Sequence, residues 1–320
     1  MFPLADLHCD TIWRVKRGAD LALRSRDGHV DIPRLRQGGV ALQVFAVFVP
    51  PGRRATARFE QARSTVQLIR DTVHKHSDDL EIVTTAAAAR RAIAHLKIAV
   101  VISLEGLHPL EGNVKRLKLF YDLGVRIFGI TWNNSNEFAA SAYDESHAAR
   151  KPVPLGLTRA GEQAVAEIQR LGALVDVSHL GEGAFWRIIE IARGPVIASH
   201  SLARSVYSHF RNLTDAQIRA LASTGGVIGA NFCSSFLAAK GRGVVDDVAA
   251  HIARLAEIGG VSCAAVGSDF DGISKSPKGL EHAGRMQNLA ESLRRRGFSD
   301  ARIRMVMFGN FMRVFREVCG

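Results

Sequence analysis

The chain has 320 residues, 47% hydrophobic and 23% charged, which suits a large core and the length of one α/β barrel with insertions. A formal net charge of +11 does not by itself make a nucleic-acid binder. Arginine is spread over many helix faces, the densest clusters (52–54 and Arg294–Arg296) are short, and no recognition motif accompanies them. Four scattered cysteines without a CxxC pair exclude a disulfide framework, and no 18-residue apolar run offers a membrane span. No basic-then-apolar leader opens the sequence. A cytoplasmic protein with no nucleic-acid or membrane partner is expected.

In chain order, short apolar runs alternate with amphipathic stretches. "LADLHCD" (4–10) and "VALQVFAVFV" (40–49) come first, followed by the helical pattern of 55–76. The alanine-rich 84–95 stands apart as a low-complexity stretch. "IAVVISLEG" (98–106), "VRIFGITW" (125–132), "ALVDVSH" (173–179), "PVIASH" (195–200), "GVIGANF" (226–232) and "AAVGSD" (264–269) complete eight strand-like runs. Between them, 158–172 opens on a Thr158 cap and stops at Gly172, 214–226 and 246–260 repeat that grammar, and 299–318 starts from Ser299. Eight strand–helix units read as a (β/α)8 TIM-like barrel forming one domain over 1–320. A doubly wound sheet is the rival.

Polar residues recur where these apolar runs end. His8 and Asp10 close the first run, Glu105 the third, His179 the fifth, His200 the sixth and Asp269 the eighth. In a barrel such ends converge on one mouth, where the catalytic residues of this architecture sit. Period-2 alternation sends His8 and Asp10 to one face and Cys9 to the other, as packing. Three imidazoles and three carboxylates suit zinc or a similar divalent ion, and six ligand-type residues exceed what one tetrahedral ion needs. Two ions sharing a carboxylate fit better. His29, His74, His76, His95, His147, His251 and His282 read as solvated or structural, and His108 is close enough to the site to stay open.

"DLHCDT", "SLEG", "DVSH", "ASHS", "RNLTD" and "VGSDFDG", in this order and spacing, resemble the membrane (renal-type) dipeptidase family, zinc peptidases of the amidohydrolase superfamily. The likeness runs from about residue 5 to the "GNFMRVF" near the C-terminus. It implies a (β/α)8 barrel with two zinc ions per chain. His8 and Asp10 would ligate one ion, His179 and His200 the other, and Glu105 would bridge them. Arg211 would hold the C-terminal carboxylate of a dipeptide, and Asp269 would act as acid/base beside a bridging hydroxide. Trp132, with Asn133 beside it, stands where animal members carry a substrate-facing histidine. Trp donates one N–H but holds no proton charge, whereas the Asn133 amide could donate to the oxyanion.

The resemblance implies hydrolysis of dipeptides, including those with a D-residue on the C-terminal side. Another amidohydrolase activity, on N-acyl amino acids or cyclic amides, is the alternative, and a non-catalytic barrel that kept the pocket is a third reading. A homodimer is the assembly to test.

Overall fold

The computed structural model describes residues 1–52, 55–147 and 156–320; Arg53 and Arg54 of the basic cluster lie outside them. Among the described residues, nine parallel strands are β1 (Leu4–Cys9), β2 (Val40–Phe48), β3 (Leu80–Ile82), β4 (Ile98–Glu105), β5 (Val125–Gly129), β6 (Leu174–Asp176), β7 (Val196–Ser201), β8 (Ile228–Ala230) and β9 (Ala264–Val266). Eight of them follow the order β2-β1-β9-β8-β7-β6-β5-β4, and pairing of β2 with β4 closes the ring. This is the expected barrel, not an open sheet. The ninth, β3, pairs only with the start of β4 at Ile98–Val100; β5 takes over the same edge from Ile102.

Every ring strand contributes to one inner cluster: Ala5 and Leu7, Leu42 and Val44, Ala99 and Val101, then Ile127, Leu174, Ile197 and Ala265, with Val227 just before β8. None of these positions lies at the C-terminal end of its strand. Phe311, Met312, Val314 and Phe315 join them from the helix Asn310–Cys319, which therefore plugs the N-terminal end of the barrel. That plug leaves the opposite, C-terminal mouth for chemistry.

Local signals act where the sequence places them. Thr158 accepts from Gly161 N–H at the start of helix Arg159–Arg170, and Gly172 follows in the left-handed region at φ 73°. Ser299 caps Asp300–Arg304, which runs through a π-turn at Met305–Gly309 into the last helix. The alanine-rich stretch is not a linker. Thr85 accepts from Ala88 N–H at 3.1 Å and starts a helix over Ala86–Ala94, as high alanine propensity favours.

Several apolar runs end earlier as strands than their composition implies. β6 stops at Asp176 and β9 at Val266, and three residues beyond each the chain turns through the left-handed region, at His179 (φ 66°) and Asp269 (φ 62°). Non-glycine residues held there carry backbone strain of the kind that collects at functional sites. On β1 the pairing with β2 slips between Asp6 and Cys9, so simple alternation breaks across His8, the first proposed ligand. Cys9 still packs into the hydrophobic core.

Candidate active site

The mouth is assembled from five strand ends, with Asp269 three residues past β9. Glu105 closes β4, His200 lies in β7, His8 lies in β1 with Asp10 one residue past its end, and His179 follows β6 by three residues. Around one atom, Glu105 Oε1, stand His179 Nε2 at 3.2 Å, His8 Nε2 at 3.7 Å and His200 Nε2 at 3.8 Å. Asp10 Oδ2 is 3.5 Å from His8 Nε2, and Asp269 completes a second group with His8 and Asp10 whose ligand atoms lie within 4.8 Å of one another.

Hydrogen bonds behind the imidazoles fix which nitrogen faces inward. Ser199 Oγ donates to Asp176 Oδ2 and so can only accept from His200 Nδ1, 2.8 Å away. His179 Nδ1 meets the carbonyl Oδ1 of Asn133 at 2.9 Å. Both rings therefore carry their proton on Nδ1 and turn bare Nε2 lone pairs toward each other at 2.8 Å. Two lone pairs at that distance repel unless a cation lies among them. His8 Nε2 is buried and has no hydrogen-bond partner. Orphaned imidazole nitrogens around a central carboxylate are the donor set of a metal centre, and they fit zinc chemistry.

The electrostatics follow from confining these groups. Burial opposes charge on His8, but Glu105, Asp10 and Asp269 outweigh it and raise its pKa to about 10. Burial pushes Glu105 well above the carboxylate range despite His8, and lifts Asp269 to about 7 with the charge of Asp10 reinforcing it. His179 and His200 are kept neutral by burial and by the positive charges of His8 and Arg211. Divalent cations favour the ionised carboxylates and neutral imidazoles that such a site needs.

The β1 and β9 ends are stitched together, with Asp269 N–H donating to His8 O at 3.0 Å and Asp10 N–H to Phe270 O at 2.8 Å. Asn231 donates to Asp269 Oδ2 at 2.9 Å. Any side chain at Gly272 would overlap the carboxylates of Asp10 and Asp269, so glycine is required there. Asp271 accepts from His29 N–H and from Thr11 Oγ1, both at 2.8 Å, which gives His29 a structural post under this loop. His108 is also structural: it is fully buried and its Nε2 lies 2.8 Å from Val49 O.

Two cavities meet at His179. The larger, about 570 Å³, is lined by Asp10, Glu105 and Asp269 and walled by Trp132, Phe48 and Trp13. The smaller, about 390 Å³, holds Arg211, whose buried Nε has no partner. Trp132 faces the larger cavity. Asn133 lines the same cavity, and its carbonyl Oδ1 meets His179 Nδ1, so it orients that ring through its oxygen and leaves its amide NH2 as a separate donor. Sequence reading missed Asp176, Ser199 and Asn231; the first two stood in view within "DVSH" and "ASHS", but their bonds to each other cross from β6 to β7.

A parallel barrel whose mouth gathers three imidazoles and three carboxylates defines a metal-dependent hydrolase. The pattern of the membrane dipeptidase family, peptidase family M19, matches residues 1–319, and the chain belongs to that family. An uncharacterized dipeptidase of Schizosaccharomyces pombe is 32% identical over 303 residues, covering 90% of this chain and 72% of the yeast protein. Among solved structures, the M19 metallopeptidase called dipeptidase AC superposes with a TM-score of 0.91 at 27% identity, covering 100% of this chain and 99% of its own. A Rhodobacter sphaeroides metallopeptidase bound to a phosphinate mimic of the dipeptide L-Ala-D-Ala gives 0.90 at 26% identity, over 100% and 99% of the two chains. The protein is a metallo-dipeptidase.

Proposed function

We propose a binuclear zinc dipeptidase that accepts L,D- as well as L,L-dipeptides. The observation that carries it is the convergence of three histidine Nε2 atoms within 3.2–3.8 Å of Glu105 Oε1, one of them a buried orphan. His8 and Asp10 would hold one ion, His179 and His200 the other, and Glu105 would be shared. Bound zinc supplies Lewis-acid polarisation of the scissile carbonyl and an activated water.

The remaining work falls to the chain's own groups. Arg211 presents a buried guanidinium with an unpaired Nε, suited to grip the terminal carboxylate through paired hydrogen bonds. Asp269, with its pKa lifted to about 7 by burial, can hold or release a proton at neutral pH. It would take the proton of the attacking water and return it to the departing amine. Asn133 and the Ser199–Asp176 pair hold the rings of His179 and His200 in register.

The mimic of L-Ala-D-Ala bound by the Rhodobacter relative supports including L,D-dipeptides among the substrates. Four free cysteines support a cytoplasmic location. The test is hydrolysis by zinc-loaded and chelator-treated protein across L,L-dipeptides, L,D-dipeptides and N-acyl amino acids. Zinc-dependent cleavage of both dipeptide sets is expected; preference for N-acyl amino acids would move the assignment to another amidohydrolase activity.

A further inference from the structure

The larger cavity has one wall whose composition the metal centre does not require. Phe48 sits between two indoles, its ring centroid 4.8 Å from Trp132 at 51° and 6.2 Å from Trp13 at 43°. Trp132 continues the row to within 6.2 Å of the His179 ring. Phe236 and Ile273 line the same space. All five side chains are only half-buried, so they leave apolar surface facing the cavity. A contiguous apolar lining of this kind beside a reaction centre marks the part of a site that recognises ligand surface.

We propose that Trp132 and Phe48 make this enzyme selective for dipeptides whose N-terminal residue carries a large apolar or aromatic side chain. The proposal rests on the dipeptidase reading above and adds which half of the substrate is recognised. Arg211, which would hold the C-terminal carboxylate, lines the smaller cavity, and the two spaces share His179. With the carboxylate there and the scissile bond at the metal ligands, the other half of the dipeptide extends into the aromatic cavity beside Asp10 and Asp269. That half is the N-terminal residue.

The size and geometry of the space agree with this direction. About 570 Å³ far exceeds the needs of a methyl side chain, and the tilted rings leave faces against which another ring can pack edge-on or offset. Trp132 is held in place from behind. Gly106, at φ 83°, turns tightly enough that a Cβ there would lie 3.1 Å from the Trp132 backbone nitrogen. That holds the backbone, and the indole itself packs between the Phe48 and His179 rings, in the place where the family resemblance leads one to expect a histidine.

The test is a kcat/KM series on Xaa-D-Ala and Xaa-L-Ala dipeptides with Xaa as Gly, Ala, Leu and Phe. Wild type, Trp132→His, Trp132→Phe and Phe48→Ala, each zinc-loaded, are compared by the Phe-to-Ala ratio. A hydrophobic pocket discriminates by roughly 10–200-fold per group it accommodates, so wild type should favour Phe over Ala by at least about tenfold. Trp132→His and Phe48→Ala should shrink that ratio by about tenfold, and Trp132→Phe should retain most of it. Fluorescence titration with phosphinate analogues of Phe-Ala and Ala-Ala gives a second readout, independent of turnover, with tighter binding of the Phe analogue expected. Equal rates and equal analogue affinities, or ratios unmoved in both variants, overturn the proposal while leaving dipeptidase activity standing. Absence of hydrolysis across the whole series overturns the dipeptidase reading and this inference with it.

Discussion

Asp176→Asn reverses the polarity of a hydrogen-bond chain without changing its shape. Asp176 Oδ1 accepts from the N–H groups of Ser178 and Ser199, both at 2.9 Å, and Oδ2 accepts from the Ser199 hydroxyl. An asparagine keeps its oxygen on the two backbone donors and must turn its NH2 toward Ser199 Oγ. That hydroxyl then accepts, and its hydrogen points at His200 Nδ1. His200 is driven to the other tautomer, with a proton on the Nε2 that faces Glu105 and His179. No polar group is left unpaired, so the stability change should stay within about 1 kcal/mol. Metal affinity should fall by about 10–100-fold, or about 1.4–2.8 kcal/mol, the range seen when groups behind a metal-ligating histidine are altered. Competition with a chromophoric chelator measures the affinity and a thermal melt measures the fold. Wild-type zinc affinity in a normally folded Asp176→Asn protein would refute the tautomer argument.

Asp269→Asn should keep its metal but lose most turnover, with zinc content and kcat as paired readouts. Arg211→Ala should raise KM for dipeptides much more than for a carboxylate-free amide; equal effects on both would count against the clamp. Gly272→Ala should give a folded protein with weakened metal binding, because its methyl displaces the carboxylates of Asp10 and Asp269. The metal-free protein should lose stability as pH rises from 6.5 to about 10. His8 binds its proton more tightly folded than unfolded, so the folded state holds the excess proton across that window and forfeits the advantage as it is titrated away. His179 and His200 titrate below the window and do not contribute, whereas the buried carboxyls of Asp269 and Glu105, also raised in the folded state, add to the loss with the same sign. The loss should be on the order of a few kcal/mol, and zinc should flatten it by replacing the proton on His8.

What the sequence made legible was whatever local pattern specifies. The two-sided burial of ring strands writes itself as apolar runs, and ligands at strand ends stand out because a buried strand has little other use for His or Asp. Thr158, Gly172 and Ser299 act locally and could be read locally. β3 escaped because a three-residue strand on the edge of β4 has no periodicity of its own. The helix at Ala86–Ala94 was hidden by composition, since alanine marks neither face strongly. Strand ends were overrun because the strained turns at His179 and Asp269 are imposed by the assembled mouth, with Asp269 tied to His8 from 261 residues away. The supporting bonds from Asn133 to His179 and from Asp176 to Ser199 exist only after neighbouring strands have paired.

The central claim is that two metal ions share Glu105. Anomalous diffraction at the zinc edge from crystals of the zinc-loaded enzyme tests it most directly. Two peaks flanking Glu105 are predicted, one against His8 and Asp10 and the other against His179 and His200. A single peak, or peaks bound by other residues, would contradict the account.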